Sequence, residues 1–247
     1  MSTEPALEGK VVLVTGSSSG IGAAVAGRFA GAGARVVVNS ARSVADGEAV
    51  AAALPGACYV QGDITVPEDA ARLVEAAQER WGRLDVLVNN AGTTQVIAHH
   101  DLEAATVDVW RRIFEVNVFG TWSMTVAAMP ALRAARGAVV NIASVAGVRP
   151  TGSSIPYAAS KAALNHMTVL LAKVVGPDVR VNAVAPGLID TPWTADWDVV
   201  REVVSQIAPL KRSGTPDDVA EIVLALATSS YVTGQVVLVD GGLSLAT

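Results

Sequence analysis

Short apolar runs punctuate the chain at residues 11–14, 35–38, 58–60, 86–88, 138–142, 179–184 and 235–239. Most are continuously apolar and β-branched rather than alternating, the pattern of strands covered on both faces. Between them the spacing of apolar positions turns helical, over about 20–32, 43–53, 67–81, 103–132, 157–175 and 216–228. Ser43, Pro67-Glu68-Asp69 and Thr215-Pro216-Asp217-Asp218 supply cap and first-turn signals for three of these helices. Strands alternating with helices predict βαβ units. With right-handed crossovers, the expected α/β architecture is a doubly wound parallel sheet of about seven strands with helices on both faces.

No linker, repeat or low-complexity tract divides the 247 residues, so residues 1–247 read as a single Rossmann-type domain. One stretch breaks the rhythm. Residues 187–214 open with Pro186-Gly187 and place Trp193 and Trp197 among acidic residues. So long an insertion after a strand's carboxyl end reads as a substrate lid, with a helical hairpin at a subunit contact as the alternative.

Composition narrows the function. Charged residues make up 17%, below the usual ~25%, which fits a sheet covered on both faces and buried subunit surfaces, and argues against a disordered chain. A net charge of −5 without a Lys/Arg run leaves no footprint for nucleic acid or an anionic membrane. A single cysteine, Cys58, and three histidines, His99, His100 and His166, give neither a disulfide framework nor a zinc site, so no metal is expected. Residues 1–8 lack the pattern of a signal peptide, and no apolar run approaches the ~20 residues of a membrane span. The expectation is a cytoplasmic chain. Cys58 and His166 read as packed residues, Trp81, Trp110 and Trp122 as core or interface, and His99 and His100 as a solvated loop pair.

After the first strand comes Thr15-Gly16-Ser17-Ser18-Ser19-Gly20-Ile21-Gly22, then a helix. Glycines there let the backbone approach a pyrophosphate, and the helix start offers N–H groups and a positive dipole end. The spacing is neither the common G-x-G-x-x-G nor a P-loop. Further on stand Asn89-Asn90-Ala91-Gly92, Asn117, Ser144, Tyr157-Ala158-Ala159-Ser160-Lys161, Pro186-Gly187, Thr191 and Asp240-Gly241-Gly242. In this order, over nearly the whole chain, these motifs resemble the classical short-chain dehydrogenase/reductase family, in its 3-oxoacyl-carrier-protein-reductase-like branch.

The resemblance implies hydride transfer between a nicotinamide dinucleotide and a carbonyl or secondary alcohol. Asn117, Ser144, Tyr157 and Lys161 are the implied catalytic set. Tyr157 and Lys161, four apart, share one helix face, and a nearby ammonium would lower a phenol pKa that otherwise lies near 10. Ser144 would orient the substrate oxygen, and Asn117 would hold a water linking Lys161 to solvent. Implied cofactor contacts are Gly16, Ser18, Ser19, Gly20, Ile21, Gly22, Asp63, Ile64, Asn90, Ala91, Gly92, Tyr157, Lys161, Pro186, Gly187, Ile189 and Thr191. Asp63 has an alternative role in capping the turn before residue 67.

The second strand ends Val38-Asn39-Ser40-Ala41-Arg42-Ser43, without the carboxylate that an unphosphorylated ribose diol prefers. Arg42, helped by the Ser40 and Ser43 hydroxyls, suits a 2′-phosphate, so NADP(H) is favoured over NAD(H). The substrate contacts expected are Ser144, Val145, Tyr157 and Trp193, drawn from pocket segments 93–99, 145–154 and 188–197. Val145, Val148, Ile155, Trp193 and Trp197 lean toward an apolar ketone or alcohol. The family likeness also implies a homotetramer. Three alternatives remain: an NAD-dependent alcohol dehydrogenase of the same family, a same-fold epimerase or dehydratase acting on nucleotide sugars, and a non-catalytic dinucleotide sensor. The intact catalytic set speaks against the sensor.

Overall fold

The computed structural model describes residues 7–246, so most of residues 1–8, read above for a leader, lies outside the described residues. Seven parallel strands form one sheet: β1 (Val11–Val14), β2 (Arg35–Ser40), β3 (Ala57–Gln61), β4 (Val86–Asn89), β5 (Ala138–Ile142), β6 (Arg180–Pro186) and β7 (Val236–Val239). Their order is β3-β2-β1-β4-β5-β6-β7. The direction of winding therefore reverses between β1 and β4, which opens a crevice at the strands' carboxyl ends.

Continuous apolar runs have a simple explanation here. Val12 and Val14 of β1 face one layer, where Val25 and Phe29 of α1 (Gly20–Gly31) meet Val219 and Val223 of α8 (Pro216–Thr228). Val11 and Leu13, one residue out of phase, face the other layer. That layer holds Leu73 of α3 (Pro67–Trp81), Leu132 of α5 (Thr121–Ala135) and Leu171 of α6 (Ile155–Val175). A strand with helices on both sides cannot afford a polar face. The short α2 (Val44–Ala53) lies against β2 and β3.

The helix expected at 103–132 divides. Thr106 caps α4 (Val107–Phe114), its hydroxyl accepting from the Val109 N–H. A π-helical stretch, Glu115–Gly120, then joins α4 to α5. Inserted π turns of this kind recur at functional sites, and this one carries Asn117. In the 187–214 segment a 3-10 turn, Pro192–Thr194, precedes a single helix, α7 (Asp198–Ile207), rather than a helical hairpin. The segment closes on itself at its base, where Ile189 bridges Gly214. Among described residues, no helix is long and apolar enough to cross a membrane.

Candidate active site

A cleft of about 1120 Å³ follows the crevice across the carboxyl ends of the strands. It exceeds the ~300–1,000 Å³ typical of small-ligand pockets. The β1–α1 turn forms one side. Gly16 has φ +62°, and a Cβ there would lie 2.8 Å from the Ala91 backbone, so only glycine fits. Ser19 precedes α1 without a side-chain cap, and the helix's first turn has no acidic residue. Its opening N–H groups thus remain suited to an anion. The Asn90 amide donates to the carbonyls of Thr15 (2.9 Å) and Gly16 (2.8 Å), and the Thr15 hydroxyl accepts from the N–H groups of Asn90 and Ala91, both 3.0 Å. Asn90 therefore shapes the glycine turn and has no amide hydrogen left over for a ligand.

Gly16, Ser19, Gly20, Ile21, Gly22, Ser40, Arg42, Asp63, Ile64, Ala91, Gly92, Pro186, Gly187, Ile189 and Thr191 line the same cleft. Ser18 does not line it. Arg42 is exposed at the rim, and among described residues no carboxylate lies within ion-pairing distance of it. Ser40 departs from expectation: it is 5% exposed, its hydroxyl donates to the Ser43 carbonyl (3.0 Å), and it bonds the Tyr59 hydroxyl (2.9 Å). It ties β2 to β3 and is not a free donor. Asp63 performs the turn role weighed above, accepting from the Thr65 N–H at 3.0 Å and hydroxyl at 2.8 Å.

On the facing wall, Ser144 follows β5, while Tyr157 and Lys161 project from the first turns of α6 into the cleft. Ser154 caps that helix, its hydroxyl accepting from the Tyr157 N–H. Lys161 is buried, donates to the Ile142 carbonyl at 2.8 Å, and places Nζ 5.8 Å from the Tyr157 ring centroid. Burial draws its pKa down to about 8. Burial also pushes the Tyr157 phenol up, opposed by hydrogen bonding to Ser144. The expected lowering of the phenol by Lys161 is thus not what dominates in the bare protein. The ammonium is bonded to a carbonyl, and removal from water outweighs the other influences on the ring.

Asn117 stands behind this group, outside the cleft lining. Its Oδ1 accepts from the Thr93 N–H (2.8 Å), and its Nδ2 donates to the Thr93 carbonyl and the Ser160 hydroxyl, both 3.0 Å. Gly92 keeps a gap open here, since a Cβ on it would sit 3.3 Å from Asn117 Oδ1 and 3.7 Å from Lys161 Nζ. The glycine turn, the uncapped helix start and this gap are what a bound dinucleotide requires, so the residues present fit such a group.

A family model described as enoyl-(acyl carrier protein) reductase matches residues 16–244. The crystal structure of a proposed short-chain dehydrogenase/reductase from Burkholderia xenovorans has a TM-score of 0.90 and 37% identity, covering 99% of this chain and 100% of that one. The chain belongs to the short-chain dehydrogenase/reductase family. Among its relatives are the proposed ketoacyl reductase 2 of granaticin polyketide synthase from Streptomyces violaceoruber and the 3-oxoacyl-[acyl-carrier-protein] reductase FabG of Thermotoga maritima. The first is 61% identical over 99% of this chain and 100% of its own. The second is 40% identical over 96% and 98%. As a short-chain dehydrogenase/reductase, the protein is an oxidoreductase that uses a nicotinamide dinucleotide.

Several expectations about the surroundings change. Val148 and Ile155 are exposed and do not line the cleft. His166 is exposed on α6, whereas Cys58 is half-buried and packs against the core; Trp122, exposed on α5, is outside the core and leaves its interface reading open. His99 lines the cleft, its Nε2 3.1 Å from the Gly152 carbonyl, and so hooks one loop to another. Sequence reasoning stopped the pocket at residue 197, yet Val199, Val200 and Val204 also line it. Their helical spacing with Val203 and Ile207 was the available signal.

Proposed function

We propose that the protein is an NADP(H)-dependent oxidoreductase interconverting a carbonyl compound and a secondary alcohol. The observation carrying this reading is the convergence of Ser144, Tyr157 and Lys161 on one wall of the cleft. When bound, the dinucleotide supplies or accepts the hydride. Tyr157 gives its phenolic proton to the substrate oxygen in reduction and removes the proton in oxidation. Ser144 holds that oxygen against the phenol. Lys161, with a pKa of about 8, carries an exchangeable proton near working pH, and Asn117 anchors the water path behind it. The 187–214 segment acts as the lid.

Gly16 to Gly22, Asn90 to Gly92 and Gly187 to Thr191 frame the dinucleotide, and Arg42 pairs its 2′-phosphate. The free guanidinium at the rim and the absence of a carboxylate at the end of β2 support the phosphorylated form. A homotetramer completes the reading, supported by exposed apolar residues on the π-helical stretch and α5 (Phe119, Trp122, Val126) and on α6 (Leu170, Val174).

The test is Tyr157→Phe. Turnover of a ketone should fall about 10²–10⁴-fold while NADPH affinity, followed by fluorescence titration, stays within twofold of about the wild-type value; undiminished turnover would overturn the assignment. Arg42→Ala should weaken NADPH binding about 10–100-fold and leave NADH unaffected, as loss of one charge-assisted contact predicts. Equal losses with both cofactors would remove the phosphate contact from the proposal.

A further inference from the structure

The two ends of the cleft differ in charge. Arg42 and Asp63 stand at the β2–β3 end. Around Tyr157, among the described residues, Lys161 is the only lysine or arginine lining the cleft, already committed to the reaction, and Asp196, exposed beside the tryptophans, is the only aspartate or glutamate. A substrate body bearing a carboxylate or phosphate finds no counter-charge there.

Several polar side chains at this end are spent within the protein, while the Thr93 and Thr151 hydroxyls also line the cleft. The Ser153 hydroxyl bonds the Thr94 hydroxyl, the Thr194 hydroxyl donates to the Ile189 carbonyl at 2.7 Å, and His99 is engaged with the Gly152 carbonyl. A polyhydroxylated substrate would lose water on entering and regain few partners, a cost that discriminates strongly. Most of what remains available is apolar. Val96 is 67% exposed, Val199 77%, Trp193 47% and Val200 44%, and all four line the cleft together with Trp197 and Ile97. Two indoles and four aliphatic side chains, drawn from loop 90–106 and from the 187–214 segment, offer flat apolar surfaces whose directional polar groups are the indole N–H donors alone.

We infer that the substrate is an uncharged carbocyclic or aromatic ketone, or the matching alcohol, whose ring body lies between loop 90–106 and the α7 segment. This rests on the carbonyl–alcohol reading above and specifies the substrate of that same site. The bodies of free keto acids are disfavoured by the missing counter-charge, and those of sugars by the predominantly apolar lining. Trp193, Trp197, Val96 and Val199 determine specificity.

The experiment compares kcat/KM for 2-tetralone, levulinate, dihydroxyacetone and acetone with saturating reduced dinucleotide, on the full chain. The expected result is 2-tetralone ahead of levulinate and dihydroxyacetone by about 100-fold or more. Trp193→Ala should lower the 2-tetralone-to-acetone ratio about tenfold, as loss of a large aromatic contact does. Val203→Ser, on α7 but outside the cleft lining, should keep the ratio. Levulinate or dihydroxyacetone matching 2-tetralone, or a ratio that Trp193→Ala leaves unchanged, overturns the inference while Tyr157-dependent turnover of any ketone preserves the underlying reading. No turnover of any ketone with either dinucleotide overturns both.

Discussion

The floor of the cleft and the segment above it are built on opposite principles. Beneath the catalytic wall, a polar ladder runs through the core: Asn89 Nδ2 donates to Thr125 Oγ1 (3.1 Å) and Asn141 Oδ1 (2.9 Å), and Asn141 Nδ2 donates to Thr168 Oγ1 (2.9 Å). Asn89 and Asn141 are register partners on β4 and β5. The ladder thus joins α5, two turns beyond Asn117, to α6, two turns beyond Lys161. Helix α7, by contrast, buries only Val204 and leaves Val199, Val200, Val203 and Ile207 exposed. Its order comes from Arg201, which pairs with Asp190 (2.9 Å) and Asp198 (2.6 Å) and bonds the Thr194 and Ala195 carbonyls. Buried hydrogen bonds hold geometry fixed for proton transfer, although Asn89 Oδ1 finds no partner among the described residues. An apolar helix resting on few contacts can adjust to a guest.

Three substitutions would break or sharpen this contrast. The largest stability loss is expected for Asn141→Ala, which strands one of the two Asn89 amide hydrogens and empties the centre of the ladder. We expect about 2–4 kcal/mol of destabilisation by denaturant titration; a loss below about 0.5 kcal/mol would show that the floor does not depend on the ladder. Lys161→Met should act in the opposite direction. The folded pKa of Lys161 lies near 8, below the 10.5 of a free lysine, so the unfolded chain binds more protons between those values and stability rises with pH there. The burial penalty is fully present below about pH 8. Removing the charge should therefore abolish turnover yet stabilise the fold by about 1–3 kcal/mol at pH 7, with the gain fading by pH 10. A melting temperature that falls at pH 7 would contradict it. Val199→Ser should shift stability by less than about 0.5 kcal/mol, since the side chain meets water already. A cooperative loss above that would make α7 part of the core.

Strands and most helices were legible because burial on two faces leaves a mark that survives without any partner: Val11 to Val14 serve both layers at once. The motif residues were legible for the same reason that they matter, as a fixed order of uncommon types. What escaped was set by three-dimensional competition. The π-helical stretch at Asn117 has no periodicity of its own within a run that otherwise reads as one helix. Ser40 looked like a free hydroxyl until Tyr59, on the neighbouring strand, took it. The pKa relation of Tyr157 and Lys161 followed from spacing, but spacing carries no information about depth, and depth decides it. Only the valines of α7 were readable and missed.

The bridge between Ile189 and Gly214, backed by Asp190 N–H to the Gly214 carbonyl and Gly214 N–H to the Leu188 carbonyl, brings both ends of a twenty-odd-residue excursion to a single point. Whatever happens between those ends, β6 leaves the sheet and α8 returns to it at the same place. The architecture thereby divides the labour within one excursion: its first residues, through Thr191, stay beside the glycine turn, while the stretch beyond them can vary in length and sequence between two fixed ends.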